Sequence, residues 1–154
     1  MLFNFGKTIA EIDVDRTREY YSNHGYINDC TCMGCKNYRK YTQECSPEIS
    51  EYFRSFGIDN MNFIAEIIPF DMSRSEYIKR GGLHYSGFYH VVGKILTPHD
   101  FEPNDNSIKI TDNFEISICD KPDLLSENFP KPALQIDIYA FIPWIVPDEN
   151  IYLC

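Results

Sequence analysis

The longest strand-like stretch of the chain reads Leu83-His84-Tyr85-Ser86-Gly87-Phe88-Tyr89-His90-Val91-Val92-Gly93-Lys94-Ile95-Leu96. Aromatic and β-branched residues dominate it, and these residue types fit the pleated, half-buried surface of a sheet. Its glycines fit turns and bulges, because the chain has no Gly-rich phosphate loop followed by Lys and Ser or Thr. The stretch therefore predicts a long β-strand.

Further strand signals lie on both sides of this stretch. Residues 63–70 carry the same residue types and precede an Arg80-Gly81-Gly82 turn signal. Residues 107–118 alternate between apolar and polar positions around Thr111-Asp112-Asn113, which is typical of a hairpin turn. Residues 134–140 alternate in the same way. These patterns together predict about five strands that pair mainly antiparallel.

Two helix signals lie in the first half of the chain. Ser46-Pro47-Glu48 supplies a capping serine, a proline at the first helical position and an acid in the first turn, and Gly57 ends the segment. Residues 33–41 form a weaker amphipathic pattern, with Cys32 near its N-terminus. Both segments are predicted to be short helices.

Helices followed by strands predict an α+β fold, with a largely antiparallel sheet of about five strands and two short helices in the N-terminal half. No internal repeat is visible, so residues 1–154 are expected to form a single domain. The segments 97–106 and 121–132 are rich in Pro, Asp and Asn, and we expect them to be solvated loops.

Acidic residues outnumber basic ones in this chain. Its 154 residues include 23 Asp and Glu against 14 Lys and Arg, which gives a formal net charge of −9. General binding of nucleic acid needs a cationic face that displaces counterions, and attraction to an anionic membrane needs one as well. We therefore expect neither nucleic acid nor membrane as a partner. Acids gathered on one face would instead favour a basic protein partner.

The N-terminal residues predict the compartment. Residues 1–8 lack the basic and long apolar regions of a secretory signal, and no segment reaches the roughly 18 apolar residues that span a bilayer. A reducing cytoplasm is therefore expected. In that compartment the six cysteines are better interpreted as metal ligands or redox thiols than as a disulfide framework.

The most specific chemical feature is the cysteine cluster Cys30, Cys32 and Cys35. A tight turn around Gly34 can direct three thiols within six residues toward one centre, which is what Zn²⁺ or an iron–sulfur cluster requires. A fourth ligand would have to come from elsewhere. Cys45 is the first choice, and the alternatives are His24, His90 and Asp29.

Two further patterns could carry chemistry. Cys32-x-x-Cys35 matches a redox dithiol in which the helix dipole lowers the pKa of a thiol at the helix N-terminus, although no βαβ pattern surrounds it. His84 and His90 are an even number of residues apart in one predicted strand, which places them on the same face. The ordinary alternative is a half-exposed His84 and a hydrogen-bonded His90 in an aromatic-rich sheet.

Four segments of the chain form a distinctive series. They are Asp29-Cys30-x-Cys32-x-x-Cys35-x-Asn37-Tyr38, then Phe56-Gly57-Ile58-Asp59, then Gly87 to Gly93, and Leu134-Gln135-Ile136 leading to Pro143-Trp144-Ile145. In this order they resemble a group of small bacterial proteins that carry an Asp-Cys-x-Cys-x-x-Cys-x-Asn-aromatic loop. The resemblance implies a bacterial cytoplasmic protein and carries no activity, substrate or site residue.

These observations favour a small acidic, non-enzymatic interaction protein whose cysteine loop binds a structural metal ion or is simply structural. By size and charge alone it is comparable to toxin-neutralising immunity proteins, whose negative surface complements a basic partner. One alternative is a zinc-dependent enzyme with three protein ligands and an open position for water. The other is a thiol redox protein that uses Cys32 and Cys35.

Overall fold

A computed structural model of the chain describes residues 1–25, 27–97 and 105–154. A short π-helical segment, Tyr41–Cys45, and a 3₁₀ turn, Met61–Phe63, lie between the main elements. Those elements are, in order, β1 (Leu2–Phe5), β2 (Thr8–Ile12), α1 (Val14–His24), α2 (Met33–Lys40), α3 (Pro47–Ser55), β3 (Glu66–Pro69), α4 (Arg74–Arg80), β4 (Leu83–Ile95), β5 (Ser107–Thr111), β6 (Phe114–Cys119) and β7 (Ala133–Ile142).

The predicted long strand is the centre of the sheet. β4 pairs antiparallel with β7 in one continuous register, from Leu83 opposite Ile142 to Val92 opposite Ala133. The sheet order is β1-β2-β4-β7-β6-β5, and β3 pairs with the first half of β4. Every pairing between these strands is antiparallel, which confirms the predicted α+β class.

The number of elements differs from the prediction, because the described residues form seven strands and four α-helices rather than about five strands and two helices. The hairpin of β1 and β2 was missed because its strands are only 4 and 5 residues long. α1 was missed because its sequence is mostly polar and it buries only Thr17 and Tyr21. α4 buries no residue, so it has no apolar periodicity to detect.

The predicted helices and turns are confirmed with changes in detail. α2 and α3 form where the patterns placed them, but the Ser46 side chain bonds to the Glu48 carboxylate and does not cap α3. The Gly81 turn signal ends α4 in the left-handed conformation at φ 81° instead of linking two strands. Of the predicted strand 63–70, only β3 pairs in the sheet.

One of the two predicted loops lies mostly outside the described residues, and the other is described in full. Residues 98–104 of the predicted loop 97–106 lie outside the described residues. The segment 121–132 is irregular and mostly exposed, as expected, except that Phe129 is buried and packs against Tyr20.

One face of the sheet is covered by the helices. Tyr85 and Tyr89 of β4 point to this face, where they pack against Tyr38 of α2 and Phe53 of α3. Alternate residues of β7, such as Ile136, are buried on the same side. The sheet and the two helices thus enclose one aromatic-rich core, and the loop before α2 lies at its edge.

Among the described residues, no helix has the length and the apolar composition that crossing a bilayer requires.

Candidate metal centre

The cysteine cluster lies at the N-terminus of α2. Cys32 is the N-cap residue, with an extended backbone at φ −63° and ψ 153°. Its Sγ accepts a hydrogen bond of 3.4 Å from the Cys35 backbone N–H, in the way that a serine or aspartate side chain caps a helix. The helix start therefore directs both sulfur atoms of the Cys-x-x-Cys pair toward the same point.

The structure brings the three predicted cysteines together. The Sγ atoms of Cys30, Cys32 and Cys35 all lie within 4.8 Å of one another. Thiolates bound tetrahedrally to Zn²⁺ at about 2.3 Å lie about 3.8 Å apart, so a small contraction would seat an ion. Cys30 and Cys32 are exposed and Cys35 is buried, so an ion would enter from solvent. The cluster could hold a metal ion.

Arg39 and Asn28 hold the loop that carries Cys30. The guanidinium of Arg39 donates to the carbonyl of Asn28 at 3.1 Å and to the carbonyl of Cys30 at 2.7 Å. The Asn28 side chain accepts from the Cys30 N–H at 3.1 Å and donates toward the Cys35 sulfur at 3.9 Å. These contacts fix the loop backbone against α2 without using a sulfur lone pair of Cys30.

α2 itself is anchored to the sheet by a buried asparagine. The Asn37 side chain donates to the Pro143 carbonyl at 3.1 Å and accepts from the Ile145 N–H at 2.8 Å. Tyr85 of β4 donates to the Gly34 carbonyl at 2.7 Å. A Cβ at Gly34 would lie 2.6 Å from the Pro69 side chain, so only glycine permits this close approach. The helix N-terminus is therefore held rigidly in place.

The paired thiols have opposite ionisation tendencies. Partial burial of Cys32 opposes ionisation, but hydrogen bonds from the Cys35 N–H and from the side chains of Cys30, Cys35 and Tyr152 outweigh it, so the pKa of Cys32 is lowered. Burial, together with its neighbours Cys32 and Cys30, raises the pKa of Cys35 to about 12. Cys32 is thus the thiol that ionises first, and a bound cation would be needed to ionise Cys35.

The other predicted ligands are not part of this group. Among the described residues, the only cluster of metal-ligating side chains is the one formed by the three cysteines. Cys45 is exposed at the end of the turn after α2, and Asp29 is exposed in the loop before it. His24 lies at the end of α1 against Tyr20. The described residues therefore offer three ligands.

The two strand histidines lie on the same face of β4, as predicted, but they do not form a site. His84 is half-exposed and packs against Phe70 and Phe141. His90 is buried, and its Nε2 lies 2.9 Å from the Asp123 carbonyl. The ordinary alternative for both residues is confirmed.

Two residues that matter at the cluster were not singled out in the sequence. The amphipathic pattern of residues 33–41 gives no sign of a role for Arg39, yet its guanidinium binds the loop carbonyls. Tyr152 reaches the cluster from the C-terminal segment, where its hydroxyl lies beside Gly34 and helps to lower the pKa of Cys32. The second contact has no local signal, because Tyr152 and Cys32 are far apart in the chain and come together only in the folded protein, where the C-terminal segment pairs with Met72.

No match was found when the chain was compared with protein-family models, with curated proteins and with solved structures.

We expect Arg39→Ala to weaken Zn²⁺ binding by about 10- to 100-fold, because residues that orient metal ligands typically contribute that much to affinity. The affinity is measured by competition with a chromophoric chelator. Lys36→Ala removes the same charge from the exposed side of α2 and is expected to leave the affinity unchanged. Equal losses in both variants would assign the effect to charge and contradict the proposed clamping of the loop.

Burial lowers the pKa of His90, although Asp123 and Gln135 partly oppose this effect. The unfolded chain therefore binds the proton at a higher pH than the native protein does. The contribution of neutral His90 to the free energy of unfolding is therefore fully present above the ordinary histidine pKa of about 6.5. Below that pH the free energy of unfolding falls, by at most about 1.4 kcal/mol per pH unit for one proton.

Urea unfolding of wild type and His90→Gln at pH 8, 7, 6 and 5 tests this expectation. Burial lowers the pKa of His84 as well, with Arg80 adding to the effect, so the variant should lose part of the acid-induced drop and keep the rest. The pH 8 data serve as the reference for the cost of the substitution itself. Parallel curves for the two proteins from pH 8 to pH 5 would show that His90 does not contribute.

Proposed function

We propose that this protein is a small cytoplasmic, non-enzymatic interaction module whose Cys30-Cys32-Cys35 loop binds a structural zinc ion. The observation that carries the proposal is the convergence of three sulfur atoms within 4.8 Å on a loop whose backbone is clamped by Arg39. Soft thiolate ligands select Zn²⁺ over Mg²⁺ or Ca²⁺. The bound ion would join the loop to the start of α2 and stabilise both.

The interaction part of the proposal is supported by charge. The net charge of −9 gives the protein many carboxylates, and no recognisable catalytic motif uses them. Such a surface attracts a basic protein and repels nucleic acid and anionic membrane. The resemblance to small bacterial proteins with the same cysteine loop is consistent with a bacterial origin.

Elemental analysis of purified protein, combined with thiol counting, tests the zinc site. We expect one zinc ion per chain, three of the six thiols protected from alkylation in the native protein, and all six reactive after denaturation with EDTA. Protection of a fourth thiol, identified as Cys45 by mass spectrometry, would complete a four-thiolate site. Six reactive thiols and no metal would refute zinc binding.

The three-ligand count also supports a second candidate, a zinc enzyme. Catalytic zinc sites keep three protein ligands and an open position for water. Spectroscopy of the Co²⁺-substituted protein distinguishes the two candidates. A fourth ligand that exchanges with added anions favours the enzyme, and a spectrum unaffected by anions favours the structural site.

The split in thiol pKa supports a thiol redox protein in the same region. The Cys32 thiolate would attack a small disulfide, form a mixed disulfide with one half of it and release the other half as a thiol. Cys35 would then attack the Cys32 sulfur of the mixed disulfide, release the second thiol and leave a Cys32–Cys35 disulfide. Treatment of zinc-free protein with glutathione disulfide, followed by reduction with dithiothreitol, tests this. A reversible loss of two thiols supports the redox candidate, and stable glutathione adducts argue against it.

A further inference from the structure

The sheet face opposite α2 and α3 carries a groove that the cysteine site does not explain. The groove has a volume of about 500 Å³ and is lined mainly by β3, β4, β6 and β7, with Asn106 and Ser107 at the start of β5 also contributing. Strand register places its lining residues in two adjacent rows across these four strands. We call this region the open face.

The first row crosses the open face from Glu66 to Ser117. Glu66 is opposite Phe88, Phe88 is opposite Asp137, and Asp137 is opposite Ser117. Residues directly opposite each other in antiparallel strands have side chains on the same face, about 5 Å apart. The row therefore places the largely buried ring of Phe88 between two carboxylates.

The second row runs beside the first. Ile68 is opposite Ser86, Ser86 is opposite Tyr139, and Tyr139 is opposite Glu115. Ile68 is 42% exposed and Tyr139 is 47% exposed. An aromatic ring again lies next to a carboxylate, and apolar surface is left in contact with water.

The ionisable side chains that line the groove are all acidic, although Lys109 of β5, outside the lining, is directly opposite Glu115. Glu66, Glu115 and Asp137 line it, and no Lys or Arg is among the described residues that do so. The ion pairs found among the described residues involve none of these three carboxylates. Burial raises the pKa of Asp137, with Asp123 adding to the effect although Gln135 opposes it, so a cation placed here would relieve an unfavourable charge.

We infer that the open face docks an arginine-bearing basic segment of a partner protein. The guanidinium group is planar, stacks on aromatic rings and forms bidentate hydrogen bonds with carboxylates, and the two rows present both kinds of group together. The exposed Tyr139 supplies the large amphipathic contact that is typical of interface centres. This inference rests on the proposed interaction function and does not require the metal site.

The test uses a fluorescein-labelled nona-arginine peptide, titrated by fluorescence anisotropy at low salt. We expect Glu115→Gln combined with Asp137→Asn to weaken binding about tenfold, which is about 1.4 kcal/mol. The matched control, Glu44→Gln with Glu51→Gln, makes the same change in net charge at exposed positions in the helical layer and should change affinity less than twofold. Melting temperatures confirm that both double variants are folded.

A further variant and chemical-shift mapping show which residues of the open face contact the peptide. Tyr139→Ala should weaken binding by about threefold through loss of ring stacking on guanidinium. Amide shifts in a ¹⁵N correlation spectrum should lie on β3, β6 and β7. Equal weakening by the control pair, shifts located elsewhere, or no binding by the wild type would each overturn the inference. The inference would also be overturned if the wild type formed a dimer, did not bind the peptide, and became monomeric on Tyr139→Ala, because the open face would then be a contact between two copies of this chain.

The same titration is run on zinc-loaded and on EDTA-treated protein. If a protein that holds no zinc still binds the peptide at the open face, the docking inference is supported and the zinc proposal is refuted. Stoichiometric zinc in a protein that does not bind the peptide would leave the zinc site standing and overturn the inference.

Discussion

Removal of zinc from the metal-loaded protein is expected to lower its melting temperature by about 10 °C. A ligand held at about 1,000 times its Kd stabilises the native state by about 4 kcal/mol. In a chain of this size each kcal/mol shifts the melting temperature by about 2–4 °C. Differential scanning calorimetry with and without EDTA measures the shift, and added Zn²⁺ should reverse it.

Cysteine variants locate the effect. Cys32→Ser should melt as low as the EDTA-treated parent and should no longer respond to EDTA, because it removes one of the three clustered ligands. Cys119→Ser, on β6 and outside the cluster, should retain the full response. Cys45→Ser tests the predicted fourth ligand directly. Unchanged melting temperatures in both Cys32→Ser and the EDTA-treated parent would refute a structural metal.

Asn37→Ala is expected to destabilise the protein by about 3 kcal/mol even without metal. The variant leaves the Pro143 carbonyl and the Ile145 N–H without the partner that Asn37 now provides, and an unsatisfied buried polar group costs about 1–3 kcal/mol. Asn37 is fully buried, so water cannot replace the amide in place. Urea unfolding of EDTA-treated protein measures the loss.

Asn23→Ala is the matched control for this variant. Asn23 is exposed on α1, and the substitution to a better helix former should leave stability within about 0.5 kcal/mol of the parent. A small effect of Asn37→Ala, comparable to that of the control, would show that the bonds to Pro143 and Ile145 do not anchor α2.

The cysteine cluster could be predicted because its geometry is local. Cys32 and Cys35 are one helical turn apart, and the helix start alone directs both sulfurs to one side. Cys45 could not be judged in this way, because its position depends on the turn Tyr41–Cys45 that separates it from α2. The structure leaves it exposed and outside the cluster.

The Asn-aromatic pair that follows the cluster has a role that the sequence did not reveal. Asn37 bonds to backbone groups more than 100 positions away, and the Tyr38 hydroxyl lies 3.0 Å from that of Tyr89 in the core. Neither residue faces the sulfur atoms as a ligand. Both position α2 against the sheet, and no short-range pattern could have shown the partners.

The sequence alone determined the long strand β4, the largely antiparallel character of the sheet, the closeness of three thiols and the sign of the net charge. Each of these depends on composition or on the spacing of neighbouring residues. The tertiary structure decided which ligands meet, that Arg39 and Tyr152 support the cluster, and that three carboxylates share one face. The physical reason is strand register. The pairing of β4 with β3 and β7, and of β7 with β6, brings residues from distant parts of the chain within a few ångströms of one another. The spacing of neighbouring residues carries no information about that pairing.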